Sequence, residues 1–288
     1  MKPPLFNYYA PTTVDQAVEY LGDETLGPRI LAGGQSLVPM MNLRVATPGT
    51  LIDIRNIEGL AEISVRDDGG LVIGAGVTQN QALEHPEVTR GWPLLAEALT
   101  YIGNPQIRNR GTVCGSLAHN DPAAELPAIA VALGAELTAQ SKSNIRVIPA
   151  EDFFISFYQT ELAPDEMIVQ VAFPPRPAGE GHALLEVNRK HGDFALVGVG
   201  AVVERSGDVI NSARVVVFGA DHKPRWFPAM EEELKGTTYD QPAVGEVVSG
   251  LGEMLSPTDD NRASGEYRRD VATELAKEAV HLAWQRTF

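Results

Sequence analysis

LAGGQS, Leu31 to Ser36, and RGTVCGS, Arg110 to Ser116, are the two stretches on which the reading of this chain turns. Glycine reaches φ > 0 and lets a ligand approach the backbone with no Cβ in the way. Each stretch is therefore suited to presenting bare N–H groups to a phosphate, and together they predict one diphosphate held by two sequence-distant loops. Arg29 to Ala32 reads as a buried strand feeding the first loop, and a short helix is expected over Ser36 to Leu43, whose first-turn N–H groups favour an anion. The second loop follows a helix predicted over Trp92 to Ile102 and precedes another over Ala123 to Leu133. There Thr112 and Ser116 can add hydroxyl donors, Asp121 and Glu125 are acceptors, and Asp121 with Pro122 makes a helix start.

Neither loop is a doubly wound dinucleotide motif. Gly74, Ala75 and Gly76 offer G-x-G after a strand, but Gln79 stands where the third glycine belongs. No Walker lysine pattern and no G-x-S-x-G elbow occur. The six histidines show no paired metal-ligand spacing, and the single cysteine, Cys114, can complete neither a zinc site nor an iron–sulfur cluster nor a disulfide. A formal net charge of −15 argues against nucleic acid as a partner. No apolar stretch is long enough to span a bilayer, and Met1 to Pro4 lacks the apolar region of a signal peptide, so a cytoplasmic protein is expected.

Along the chain, Thr13 and Gln16 form a capping box ahead of a helix with apolar face Val14, Ala17, Val18 and Leu21, stopped at Gly22. Strands follow at Arg29 to Ala32 and Leu51 to Ile54. A hairpin is predicted over Ala61 to Ala75 about the turn Asp67 to Gly70. Further strands are expected at Glu136 to Ala139, Asn144 to Pro149 and Glu166 to Phe173. Pro174 to Glu180 is rich in proline and glycine and marks a domain boundary. Beyond it lie three strand candidates, Ala183 to Arg189, Ala195 to Glu204 and Val209 to Gly219. The chain closes with a helix over Glu266 to Trp284, whose core stripe reads as Val271, Leu275, Ala279 and Leu282. The fold class is α+β, in three units: 1–56, an α/β part; 57–176, an α+β part; and 177–288, an α+β unit with a three-stranded antiparallel sheet and helices.

Several blocks in order resemble the FAD-binding medium subunit of the molybdenum hydroxylases, the group of carbon monoxide dehydrogenase, quinoline oxidoreductase and xanthine dehydrogenase. They are Phe6 to Pro11, Ala32 to Leu37, Thr50 to Asn56, Val72 to Ala75, Arg108 to Leu117, Asp121 to Pro127, Arg189 to Ala195 and Ser264 to Arg268. The resemblance implies that the first two units form a two-part FAD-binding domain of the vanillyl-alcohol-oxidase/PCMH type. By the same resemblance Ala32, Gly33, Gly34, Gln35, Ser36 and Leu37 form the first pyrophosphate motif, and Gly111, Thr112, Val113, Gly115 and Ser116 the second. Ile102 packs on the flavin side, Asp121 and Glu125 take cofactor polar groups, and Ile168 lines the ring pocket. Lys190, Asp193 and Phe194 lie against the isoalloxazine, Lys190 supporting negative charge on reduced flavin. Cys114 stands where the family usually has glycine, Glu125 where it has aspartate, and Phe194 where it has tyrosine or an aliphatic residue.

The resemblance implies an electron-transfer subunit. A large molybdopterin subunit hydroxylates the substrate, a small subunit with two [2Fe–2S] clusters carries the electrons, and FAD in this chain passes them to an external acceptor, in a dimer of heterotrimers. No general base and no metal ligand is expected in this chain. The alternative is a stand-alone FAD-dependent oxidoreductase acting on a small molecule.

Overall fold

In the computed structural model, residues 2–287 are described; Met1, the first residue of the Met1 to Pro4 opening, lies outside them. The first unit is a three-stranded parallel sheet with Thr50–Asp53 between Asn7–Tyr9 and Pro28–Leu31. Parallel neighbours need crossovers, and the helices Val14–Leu21 and Leu37–Asn42 supply them. The first glycine loop therefore sits at the carboxyl end of the strand Pro28–Leu31, where open parallel sheets form ligand crevices. Thr13 Oγ1 accepts from Gln16 N–H at 3.3 Å as expected, but Gln16 Oε1 accepts from Thr12 N–H at 3.0 Å, so the expected box is displaced by one residue.

The second unit is a five-stranded antiparallel sheet in the order Ile63–Val65, Leu71–Gly74, Met167–Phe173, Glu136–Gln140, Ile145–Pro149. The strand last in sequence lies at its centre, and Met167, Ile168, Val171, Ala172 and Phe173 are buried there. The helix Glu125–Ala132 begins two residues later than expected and is buried on every side. It packs between the helix Pro93–Tyr101 and the strands Val197–Ser206 and Val209–Phe218, so it has no polar face for an amphipathic pattern to reveal.

The third unit holds four antiparallel strands rather than three, in the order Glu180–Val187, Val197–Ser206, Val209–Phe218, Arg225–Trp226. The added strand is two residues long, too short for any alternation to mark it. Its Trp226 is held by Glu231, which accepts from the indole Nε1–H at 2.9 Å, and by the Arg214 guanidinium, 4.1 Å from the ring centroid. Glu180 is already strand, so the Pro/Gly-rich connector is shorter than its composition suggests.

The helix Gly265–Gln285 lies on this sheet through Ala272, Ala276, Ala279, Val280 and Ala283, all fully buried, while Val271, Leu275 and Leu282 flank the contact. The expected stripe is thus rotated toward alanine. The reason is close approach: a Cβ on Gly181 of the facing strand would strike the Ala283 carbonyl oxygen. One face of its sheet has a core of its own with this helix, while Leu184, Ala195, Val202, Val216 and Phe218 join the core of the first two units.

Candidate functional site

The two glycine loops touch. A Cβ on Gly33 would strike the carbonyl oxygen of Arg110 and lie 2.6 Å from Gly111 Cα, so no other residue fits there without moving one loop. Gly34 follows at φ 75°, turning the chain toward the helix Leu37–Asn42. The second loop is fixed from behind, with Gln79 N–H donating to Gly111 O at 2.8 Å and Val113 N–H donating to Val77 O at 3.1 Å.

The backbone donors are distributed unevenly. No acceptor within the described residues takes the N–H of Gly33, Gly34, Gln35, Ser36 or Leu37. In the second loop Gly111 N–H goes to Ile107 O, Val113 N–H to Val77 O, Ser116 N–H to Thr112 O and Gly115 N–H to Thr112 Oγ1 at 3.0 Å, leaving only Thr112 and Cys114 free. The expectation that both loops offer bare N–H groups alike is therefore corrected, because Thr112 is the N-cap of the helix Val113–His119 and consumes what it caps. Cys114 lies in the first turn of that helix with its thiol in the core, so the position needs no left-handed backbone. Burial pushes the Cys114 thiol up to about 12.

Around the junction lies a cleft of about 1250 Å3, lined by residues of all three units. Of the residues singled out from sequence, Ala32, Gly33, Gly34, Gln35, Ser36, Leu37, Ile102, Gly111, Thr112, Gly115, Ser116, Asp121, Glu125, Ile168, Asp193 and Phe194 border it. Two do not. Val113 points its side chain into the core, and Lys190 is exposed on the loop that carries Asp193 and Phe194. That loop is clamped onto the second unit. Gly192, at φ 78°, lies so close to Gly103 that a Cβ would strike the Gly103 carbonyl oxygen. On its outer side Arg262 donates to Phe194 O and Arg189 Nη2 to Asn261 O at 3.1 Å.

The opposite wall was only partly anticipated. Asp121 does not cap a helix; its Oδ1 accepts from Ala123 N–H at 2.9 Å, closing a turn before the helix Glu125–Ala132. Sequence reasoning missed Tyr158. It sits at φ 55° in the hairpin formed by Phe154–Ser156 and Gln159–Thr160, lines the cleft, and donates its hydroxyl to Asp121 Oδ2 at 3.3 Å. Buried Asn120, itself at φ 47°, holds this hairpin by donating Nδ2–H to Ser156 O and Gln159 O, each at 2.8 Å. Nothing in the local pattern marks a tyrosine for left-handed backbone. The His119 ring lies 5.1 Å from that of Tyr158, and burial holds the imidazole below its usual pKa, hence neutral.

A concave site of this size, beyond the roughly 300–1,000 Å3 of drug-sized pockets, lined by both apolar side chains and unsatisfied backbone N–H groups, suits an extended dinucleotide. Residues 4–176 match the family described as FAD binding domain in molybdopterin dehydrogenase, and residues 182–283 match the CO dehydrogenase flavoprotein C-terminal domain. The chain is 35% identical over 287 residues to the carbon monoxide dehydrogenase medium chain of Hydrogenophaga pseudoflava, covering 99% of each. It is 37% identical over 288 residues to the nicotine 6-hydroxylase medium subunit of Paenarthrobacter nicotinovorans, covering 100% of each. The solved Hydrogenophaga pseudoflava carbon monoxide dehydrogenase lacking the Mo-pyranopterin moiety superposes with a TM-score of 0.96 at 36% identity over the whole of both chains.

Fold and cleft together are those of the FAD-carrying component of an oxidoreductase. The chain belongs to the FAD-binding medium subunits of the molybdenum hydroxylases.

Proposed function

We propose that this subunit holds FAD between the two converging loops and relays electrons from the [2Fe–2S] clusters of a small partner subunit to an external acceptor. Hydroxylation belongs to a large molybdopterin subunit, and the complex is a cytoplasmic dimer of heterotrimers. When bound, FAD supplies the capacity to take up and release electrons; the protein supplies grip, orientation and electrostatics. The free N–H groups from Gly33 to Leu37 hold the diphosphate, with Thr112, Cys114 and Ser116 completing the grip from the other side. Each charge-assisted bond contributes about 1.5–3 kcal/mol. Ile102, Ile168 and Phe194 give the ring apolar walls, Asp121, Glu125 and Asp193 meet its polar groups, and Lys190 supports negative charge from the rim. The units 1–56 and 57–176 form the two-part cradle of the vanillyl-alcohol-oxidase/PCMH type, and 177–288 closes it.

The observation that carries this reading is the contact of Gly33 with Arg110 and Gly111, which brings the two loops to one place. Purification of the chain with and without its coexpressed genomic neighbours tests it. Flavin absorbance with copurifying iron–sulfur and molybdenum subunits is expected. A flavin-loaded chain that turns over a small molecule alone would replace this reading with that of a free-standing enzyme. At the loop contact, Gly33→Ala is expected to lower flavin content at least tenfold, read as the ratio of flavin to protein absorbance.

A further inference from the structure

The cleft carries carboxyl groups for which electron relay by itself gives no use. Glu125, at the start of the helix Glu125–Ala132, is only 6% exposed and borders the cleft. No side chain donates to it, and it forms no ion pair among the described residues; its own backbone N–H is its sole support. Glu186, on the strand Glu180–Val187 of the third unit, does not line the cleft, but its charge acts on Glu125. Its Oε1 accepts from Asn188 Nδ2–H at 2.5 Å, while its Oε2 is buried with no partner. Asp121 adds a third carboxyl and borders the cleft.

Among the described residues, no cation of the elements packed against the Glu125 helix pairs with these carboxyls. The helix Pro93–Tyr101 contributes Tyr101 and Glu97, and Arg286 is occupied by Glu97 at 3.5 Å and by the His182 carbonyl oxygen at 3.0 Å. Arg214 is engaged at the far end of the Glu125 helix by Val131 O at 3.1 Å. His182 is held down to about 4 by burial and by Arg176 and Arg286, and His119 is also held low by burial, so neither histidine supplies a positive charge at neutral pH. Carboxyl groups crowded into a poorly solvated wall without a counter-charge do not all ionise. Burial, then the charges of Glu186 and Asp121, push Glu125 up to about 8, and burial pushes Glu186 up to about 7.

We propose that burial without a counter-charge, reinforced by Glu186 from the third unit, keeps Glu125 in its neutral acid form, so that Glu125 faces the bound FAD as an O–H donor rather than as a carboxylate. Its proton would then be available to a carbonyl or hydroxyl oxygen of the cofactor. Glu125 is the contacting group; Glu186 is a positioning residue acting through it. This rests on the cleft being the FAD site.

The test uses the full chain, stripped of flavin and titrated with FAD by fluorescence from pH 6 to 9.5. The wild-type Kd is expected to stay level to about pH 7 and then to rise roughly tenfold as Glu125 ionises. Glu125→Gln, isosteric and permanently neutral, is expected to bind FAD with a level profile. Glu186→Gln should move the rise toward acid, and Glu186→Lys should move it further. Infrared difference spectra of the flavin-free protein give a second reading: a carboxylic-acid C=O band at pH 7, absent in Glu125→Gln. A wild-type Kd unchanged to pH 9.5, a missing band, loss of FAD by Glu125→Gln at every pH, or a Glu186→Gln profile superimposable on wild type each overturns the proposal. Wild type that binds no FAD even at pH 6 overturns the cleft reading as well.

Discussion

Asp53, at the end of the central strand of the first sheet, is 1% exposed and collects Tyr8 Oη at 2.6 Å and Arg55 Nε at 2.9 Å. Burial pulls its carboxyl up, but hydrogen bonds from Arg55 and Tyr8 outweigh it and leave the group below the usual carboxylate range. Within the block Thr50 to Asn56, Asp53 and Arg55 are thereby explained as a structural knot, while Ile54 between them borders the cleft. Asp53→Asn is expected to cost about 1.5–3 kcal/mol, nearer the lower figure because Arg55 is half in solvent, and to lower Tm with little change in FAD content per folded molecule. Because the folded-state pKa is depressed, the Asp53 contribution is full above the usual aspartate range and is lost as pH falls through and below it. Glu125 and Glu186 have the opposite sign. Folding keeps protons there that the unfolded chain releases, so stability is fullest below the usual glutamate range and declines as pH rises toward about 8. His182, held down to about 4, opposes this decline up to its usual pKa near 6.5, so the net fall is clearest between about pH 6.5 and 8. Thermal denaturation of flavin-free protein should show Tm dropping over that interval, and Glu125→Gln should flatten the drop.

The hairpin Phe154–Thr160 depends on one buried side chain, Asn120, at the end of the helix Val113–His119. Asn120→Ala removes two hydrogen bonds and leaves a β-carbon residue in left-handed backbone; a loss of about 2–4 kcal/mol is expected, together with faster amide exchange confined to residues 154–160. Asn120→Gly relaxes the backbone but not the hydrogen bonds, so exchange should remain fast while Tm partly recovers. The same hairpin shows where legibility ends. Leu71–Gly74 and Val197–Ser206 could be read as apolar runs bounded by turn residues, and the long helix Gly265–Gln285 because one of its faces meets solvent. Glu125–Ala132 could be placed but not oriented, being enclosed on all sides, and Arg225–Trp226 could not be seen at all. Within the cleft, the glycines were visible because backbone approach admits no alternative. Tyr158 was hidden because its conformation is imposed by Asn120 across more than thirty residues of sequence. The block Ser264 to Arg268 matched the family without a physical reason until the structure supplied one. Ser264 Oγ caps the helix, and buried Arg268 donates to Leu196 O at 2.5 Å and Gly219 O at 2.7 Å, fastening the helix to the ends of two strands.

At the scale of the molecule, the third unit packs one face of its sheet into the core of the first two and adds Gly192, Asp193 and Phe194 to the cleft that they line. Gly192 against Gly103 is a tight point of this packing, and Gly192→Val would place a side chain on the Gly103 carbonyl in a backbone region that branched residues avoid. The expected result is a loop 189–194 displaced from the cleft and FAD dissociation at least tenfold faster in a dilution assay, with the fold of both cores retained by circular dichroism. The order of parts along the chain has a consequence for biogenesis. A polypeptide that has left the ribosome only through residue 176 already owns both glycine turns, yet the wall formed by Gly192, Asp193 and Phe194 is still unmade. On the proposed reading, firm capture of the nucleotide waits on translation of the last third, which also brings the strands that cover the helix Glu125–Ala132.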